Sequence, residues 1–158
     1  VVPAISSMVR KLTTTGENVL VQTPVYNIFF HSIVNNGRNI VESPLPYDGD
    51  TYHMDFEDLE QKLSDPQTTL MILCNPHNPV GRIWSREELG RVGDVCRKHH
   101  VIVISDEIHC DLTSPGCGWT AGRCRGVQRN LRSICGNIQD CICQKDDSMG
   151  KTELPLSE

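Results

Sequence analysis

Two short stretches limit what this chain can fold into more than anything else in it: Thr68–Cys74 (TTLMILC) and Val101–Ser105 (VIVIS). Neither alternates apolar with polar residues. A strand that reads this way has both faces covered, as in a parallel sheet with helices packed on either side. Between the two lies Ser85-Arg86-Glu87-Glu88, which has the form of a capping box. The serine oxygen and the Glu88 side chain can satisfy the exposed backbone donors of a helix start. The helix is expected to run to about His100 with Leu89, Val92 and Cys96 inward, and basic Arg97, Lys98, His99 and His100 suit the negative end of its dipole. Gly90 and Gly93 weaken it by roughly 1 kcal/mol each relative to alanine. Strand, helix and strand in this order mean an α/β fold with a mostly parallel sheet.

The same alternation precedes this unit. Val19–Gln22 reads as a strand ending at Thr23-Pro24. Tyr26–Val34 carries Ile28, Phe29 and Ile33 at helical spacing and stops at Asn35-Asn36-Gly37. Asn39–Glu42 reads as another strand, and Asp55–Leu63 as a short acidic helix with Phe56, Leu59 and Leu63 on one stripe. Residues 114–158 are different: glycines, balanced charge and Cys117, Cys124, Cys135, Cys141 and Cys143, with almost no periodic apolar pattern. The expected organisation is therefore a structured part over 1–113 and an irregular tail over 114–158, the transition suggesting a shifted or truncated reading frame. A formal charge of −5 argues against a nucleic-acid partner. No apolar run has membrane-spanning length and no signal peptide is visible, so a cytoplasmic protein is the expectation. No Cys-x-x-Cys pair occurs, and no metal site is expected.

Ligands of open α/β sheets bind beyond the carboxyl ends of the strands. Three such ends carry distinctive residues: Tyr26, Asn78 and Asp106. An aromatic face, an amide and a carboxylate suit a flat heteroaromatic cofactor. The tyrosine can stack on its ring, the amide can donate to a phenolate oxygen, and the carboxylate can keep a ring nitrogen protonated. Gln22-Thr23-Pro24-Val25-Tyr26-Asn27, the loop Asn75-Pro76-His77-Asn78-Pro79-Val80-Gly81 and the run Ser105-Asp106-Glu107-Ile108-His109-Cys110-Asp111 resemble, in order and spacing, fold-type I pyridoxal 5'-phosphate (PLP) enzymes. Within the class I/II aminotransferase superfamily they look most like the MalY/PatB-type C–S lyases, or cystathionine β-lyases. Val1-Val2-Pro3-Ala4 and Asn36-Gly37-Arg38 look like that family too, so the resemblance covers residues 1–113.

The resemblance implies that 1–113 is a partial PLP-binding large domain, a fragment of its mostly parallel three-layer sheet. It implies that Tyr26 stacks on the pyridine, Asn78 bonds the ring hydroxyl oxygen and Asp106 pairs with the pyridine nitrogen. His109 stands where aminotransferases usually place a tyrosine, which leans toward the lyase branch. It further implies an amino-acid substrate, a cysteine S-conjugate such as cystathionine cleaved to pyruvate, ammonia and a thiol, and a homodimeric parent. The family's aldimine lysine, in a Pro-Ser-Lys-Thr-Phe-Asn-Leu-type run some thirty residues past the aspartate, has no counterpart; Ser148-Met149-Gly150-Lys151-Thr152 is a faint echo. No catalytic residue is therefore assigned, and the chain itself is expected to be inactive. An aminotransferase fragment and a non-catalytic regulatory or interaction fragment stay open as alternatives.

Taken singly, each site residue has a plainer reading. Tyr26 can be a half-buried packing residue, Asn78 a turn residue between prolines, and Asp106 a helix cap. Glu107 reads as structural or solvent-facing, and His31, His53, His99 and His100 as surface residues.

Overall fold

The computed structural model describes residues 1–110 and Leu112. Its elements are α1 (Val2–Leu12), β1 (Asn18–Thr23), α2 (Ile28–Val34), β2 (Asn39–Pro44), α3 (Phe56–Leu63), β3 (Thr68–Cys74), α4 (Arg86–Lys98) and β4 (Ile102–Asp106). The strands form one sheet in the order β2-β1-β3-β4, and every pairing is parallel. The residues 114–158 expected to form an irregular tail lie outside the described residues.

Strand alternation explains the three layers. On β3, Leu70, Ile72 and Cys74 enter one apolar cluster with Ile5 and Val9 of α1 and Phe29 and Ile33 of α2. Met71 and Leu73 enter a second cluster on the opposite face, with Leu59 and Leu63 of α3 and Leu89, Val92 and Cys96 of α4. β1 divides likewise, Val19 and Val21 against Leu20, and β4 sends Ile104 one way and Val103 the other. This is why β3 and β4 carry no polar alternation. Each such fully buried aliphatic side chain stabilises the fold by about 1.5–3 kcal/mol. β2 is an edge strand and accordingly shows more exposed positions.

The expected elements are present with shifted ends. α4 starts on the capping box, with Ser85 accepting from the Glu88 backbone and Glu88 from the Ser85 backbone. It stops at Lys98 because His100 turns left-handed (φ 59°), which lets Val101 N–H reach the Cys96 carbonyl at 2.8 Å. α2 starts at Ile28, so Tyr26 lies in the turn before it. β4 ends on Asp106 itself.

α1 was not foreseen. Ile5 and Val9, one turn apart, face the sheet, and Pro3 sits in the first turn, where its missing N–H costs nothing. The buried Arg38 ties this helix to β2: it donates through Nε to Thr13 Oγ1 (2.8 Å) and through its terminal nitrogens to the carbonyls of Arg10, Thr13 and Asn36. A guanidinium thereby satisfies carbonyls that the end of α1 leaves open. Gly37 (φ 75°) makes the turn into β2, and a side chain there would press on Thr15 at 3.1 Å.

Candidate active site

Parallel pairing puts the carboxyl ends of all four strands on one edge of the sheet. Tyr26 follows β1, Asn78 follows β3, and Asp106 and His109 lie at the end of β4; these three strands are neighbours. The four residues expected to form the site therefore share that edge.

Tyr26 is held by its turn. Val25 is buried beside Phe29, the Tyr26 carbonyl accepts the Phe29 N–H at 3.1 Å, and the Tyr26 ring stands edge-on to the Phe29 ring (6.0 Å, 82°). Tyr26 nonetheless remains 39% exposed.

The loop after β3 is fastened on every side. Asn75 N–H bonds the Asp106 carbonyl (2.9 Å), extending the β3–β4 ladder by one residue, and Asn75 Oδ1 accepts from Trp84 N–H (3.1 Å). Trp84 is fully buried and donates its indole N–H to the Cys74 carbonyl at 3.1 Å. His77 and Arg82 bridge antiparallel across the loop, and Arg82 pairs with Glu88 of α4 at 3.1 Å. Cys74 Sγ donates to the Pro76 carbonyl (3.3 Å) and receives the Asn78 N–H (3.5 Å). The Asn78 side chain is half-buried, and among the described residues its amide makes no hydrogen bond.

Asp106 is buried, and its Oδ1 accepts the Ile108 N–H at 3.2 Å. Burial raises its pKa above the usual carboxylate range, while the Ile108 N–H and His109 pull it down. Asp106 forms no ion pair among the described residues. A buried carboxylate in that position favours a cationic partner that also excludes water.

Of the two readings of Glu107, structural or solvent-facing, the structure bears out the structural one. The residue is buried, Ser105 Oγ donates to its Oε1 (3.0 Å), and its Oε2 has no hydrogen-bond partner among the described residues. Burial, and then the neighbouring Asp106, raise its pKa. The physical reason is parity: Ser105 and Glu107 continue the row of Val101 and Val103, which faces the core beneath α4. His99 is half-buried, 3.6 Å from Glu60, so the surface reading fails there; His53 is exposed and paired with Asp48 at 2.5 Å. His77, buried and bonded through Nε2 to the Pro24 carbonyl at 3.0 Å, was not anticipated. Among the described residues no cluster of His, Cys, Asp or Glu is arranged to hold a metal ion, and no helix is long and apolar enough to cross a membrane.

Comparison with known proteins identifies the relatives of the chain. The family model "Aminotransferase class I and II" matches residues 3–136. "Cystathionine beta-lyase PatB" of Bacillus subtilis is 55% identical over 112 residues, 71% of this chain and 29% of that protein. "Protein MalY" of Escherichia coli is 38% identical over the same shares. Among solved structures, cystalysin of Treponema denticola, which contains a pyridoxal 5'-phosphate cofactor, superposes with a TM-score of 0.74 at 38% identity over 84% of this chain and 32% of its own. The PLP-bound C–S lyase of Staphylococcus hominis gives 0.71 at 36% identity over 73% and 29%. The chain thus spans about 29% of the length of the curated relatives it resembles.

Proposed function

The chain belongs to the class I and II aminotransferase family, and from that membership we propose that it is part of a PLP-dependent C–S β-lyase acting on cysteine S-conjugates such as cystathionine. The observation that carries this reading is the grouping of Tyr26, Asn78 and Asp106 at the ends of three adjacent strands, in a sequence 55% identical to a cystathionine beta-lyase.

The residues present fit the cofactor. Asp106 is a buried acid without an ion-pair partner among the described residues, as a protonated ring nitrogen requires. Tyr26 is 39% exposed, and the Asn78 amide makes no hydrogen bond among the described residues. When bound, PLP supplies an electron sink that stabilises negative charge at the α-carbon of an amino acid. Asp106 would hold the proton on the pyridine nitrogen, Asn78 would donate to the ring hydroxyl oxygen, and Tyr26 would cover one ring face and exclude water. His109, which is half-buried, would face the same oxygen. In the parent enzyme the products would be pyruvate, ammonia and a thiol.

The chain itself, with no lysine in the required sequence context, is proposed to bind PLP non-covalently and to turn nothing over. Its boundary near Thr113, a homodimeric parent, a cytoplasmic location, and the absence of nucleic-acid and membrane partners belong to the same proposal. An aminotransferase is the second reading, favoured by the "Probable kynurenine--oxoglutarate transaminase BNA3" of Saccharomyces cerevisiae, 32% identical over 114 residues. Assaying the intact parent enzyme for pyruvate and free thiol against keto-acid exchange separates them. Titrating the purified chain with PLP, then reducing with borohydride and weighing it, tests the rest. Saturable binding without a stable adduct is expected, and a stoichiometric adduct on Lys151 would overturn the inactive reading.

A further inference from the structure

The main-chain ladder leaves a gap at this edge. β3 and β4 stay paired to their last residues, Cys74 with Asp106, and Asn75 N–H adds one more bond. The β1–β3 ladder ends earlier, at Val21 with Ile72. Past that point β1 runs into the turn that carries Tyr26, and β3 into the loop that carries Asn78. Among the described residues one hydrogen bond joins the turn over 23–27 to the loop over 75–81: His77 Nε2 to the Pro24 carbonyl, 3.0 Å. We propose that His77 is a positioning residue of the cofactor site, its Nε2–H setting the separation between Tyr26 and Asn78. This rests on the PLP reading given above.

The imidazole is built into place. Its own backbone N–H bonds the Arg82 carbonyl (2.7 Å), and its carbonyl accepts from Gly81 N–H (2.8 Å). The ring stands edge-on to Trp84 (5.6 Å, 83°), which is anchored in turn to Asn75 and to the Cys74 carbonyl. His77 is 1% exposed, so water does not compete for the Pro24 carbonyl. A carbonyl only accepts, so Nε2 must carry the proton. Nδ1 has no partner in hydrogen-bond geometry among the described residues, although the Gln22 and Cys74 carbonyls also face the ring, so the bond to Pro24 makes Nδ1 the expected bare nitrogen. Pro24 lies two residues before Tyr26, and Asn78 directly follows His77. A shift in this bond therefore moves both groups against one another, while Asp106 stays fixed to β3 through the ladder.

Two measurements on the full 158-residue chain test this. Nitrogen-15 NMR of the chain without PLP reports the tautomer: a neutral ring protonated on Nε2 is expected, and protonation on Nδ1 alone overturns the tie whatever any variant does. The second is PLP affinity by absorbance titration for His77→Gln and His77→Leu, beside urea midpoints. Glutamine can place a donor near the Nε2 position and should bind close to wild type. Leucine fills the space without a donor and should bind about tenfold more weakly, the size of one buried hydrogen bond lost with its acceptor left unpaired. Equal affinity of the leucine variant and wild type overturns the proposal. If wild type binds no PLP, the reading of the site fails, whereas the tautomer still decides whether the two loops are tied.

Discussion

Asp106→Asn separates stability from function at one atom pair. In the structure the carboxylate is buried, accepts the Ile108 N–H, and has no ion-pair partner among the described residues. A buried polar group left without a partner costs about 1–3 kcal/mol, and a charged one more. His109 and the Ile108 N–H offset part of that, so the neutral isostere should stabilise the PLP-free chain by about 1 kcal/mol. With cofactor the sign reverses. A hydrogen bond to a charged group contributes about 1.5–3 kcal/mol, so losing it should weaken PLP binding by about 10- to 150-fold. Urea unfolding with and without PLP measures both effects. At a concentration 100 times its Kd, PLP should stabilise wild type by about 2.7 kcal/mol; a variant bound a hundredfold more weakly gains about 0.4 kcal/mol there. A variant that is less stable without PLP, and that binds PLP as tightly as wild type, would refute the pairing of Asp106 with a ring cation.

Glu107→Gln tests the second acid through pH. Burial raises the Glu107 pKa. From the ordinary carboxylate value of about 4.3 up to that raised value, the folded chain binds more protons than the unfolded one, so this group destabilises the fold as pH rises. The glutamine variant should thus gain stability relative to wild type between pH 5 and 7.5 (roughly the window above the unfolded carboxylate value), read as a difference of urea midpoints in which Asp58 and Glu60, shifted the other way, cancel. An opposite trend sinks the assignment. Burial pushes the Cys74 thiol up to about 11, and Cys74 and Cys96 are both buried. Native alkylation at neutral pH followed by peptide mass mapping should leave both unlabelled until urea is added, and labelling of Cys74 at the rate of a free thiol contradicts the packing. Ser85→Ala removes half of the capping box and should destabilise the chain by about 1 kcal/mol in urea unfolding, with no change in PLP affinity.

What the sequence could reveal followed from how locally each signal is written. β3 and β4 were legible because burial on both faces erases alternation, and α4 because its capping box spans four consecutive residues. α1 escaped because its inward row over 2–12 is short: Ile5 and Val9 buried, Met8 and Leu12 partly so. The edge carrying Tyr26, Asn78 and Asp106 followed from parallel pairing alone. Glu107 was left open between structural and solvent-facing, although the clue to the structural reading lay two residues away in Ser105 and four in Val103, the same row of β4. His77 had no local signal at all: its partner is a main-chain carbonyl 53 positions earlier, and only the fold brings the two together.

The parity of β4 makes its two terminal acids non-interchangeable. Asp106 continues the row of Ile102 and Ile104, on the side of α1 and α2, where Cys74 and the Tyr26–Phe29 pair also lie. Glu107 continues the row of Val101 and Val103, on the side of α3 and α4. Slipping β4 by one residue would exchange them, burying the longer acid at the proposed ring nitrogen and turning Asp106 toward Trp84. The register resists this at several points: Leu70 with Ile102 through Cys74 with Asp106, then the Asn75 N–H on the Asp106 carbonyl. Any slip also drives Ile104 and Val103 into the wrong apolar clusters, each of which already holds residues of complementary shape. The apolar character of β4, which first signalled a parallel sheet, is thus also what fixes a single carboxylate at the carboxyl edge.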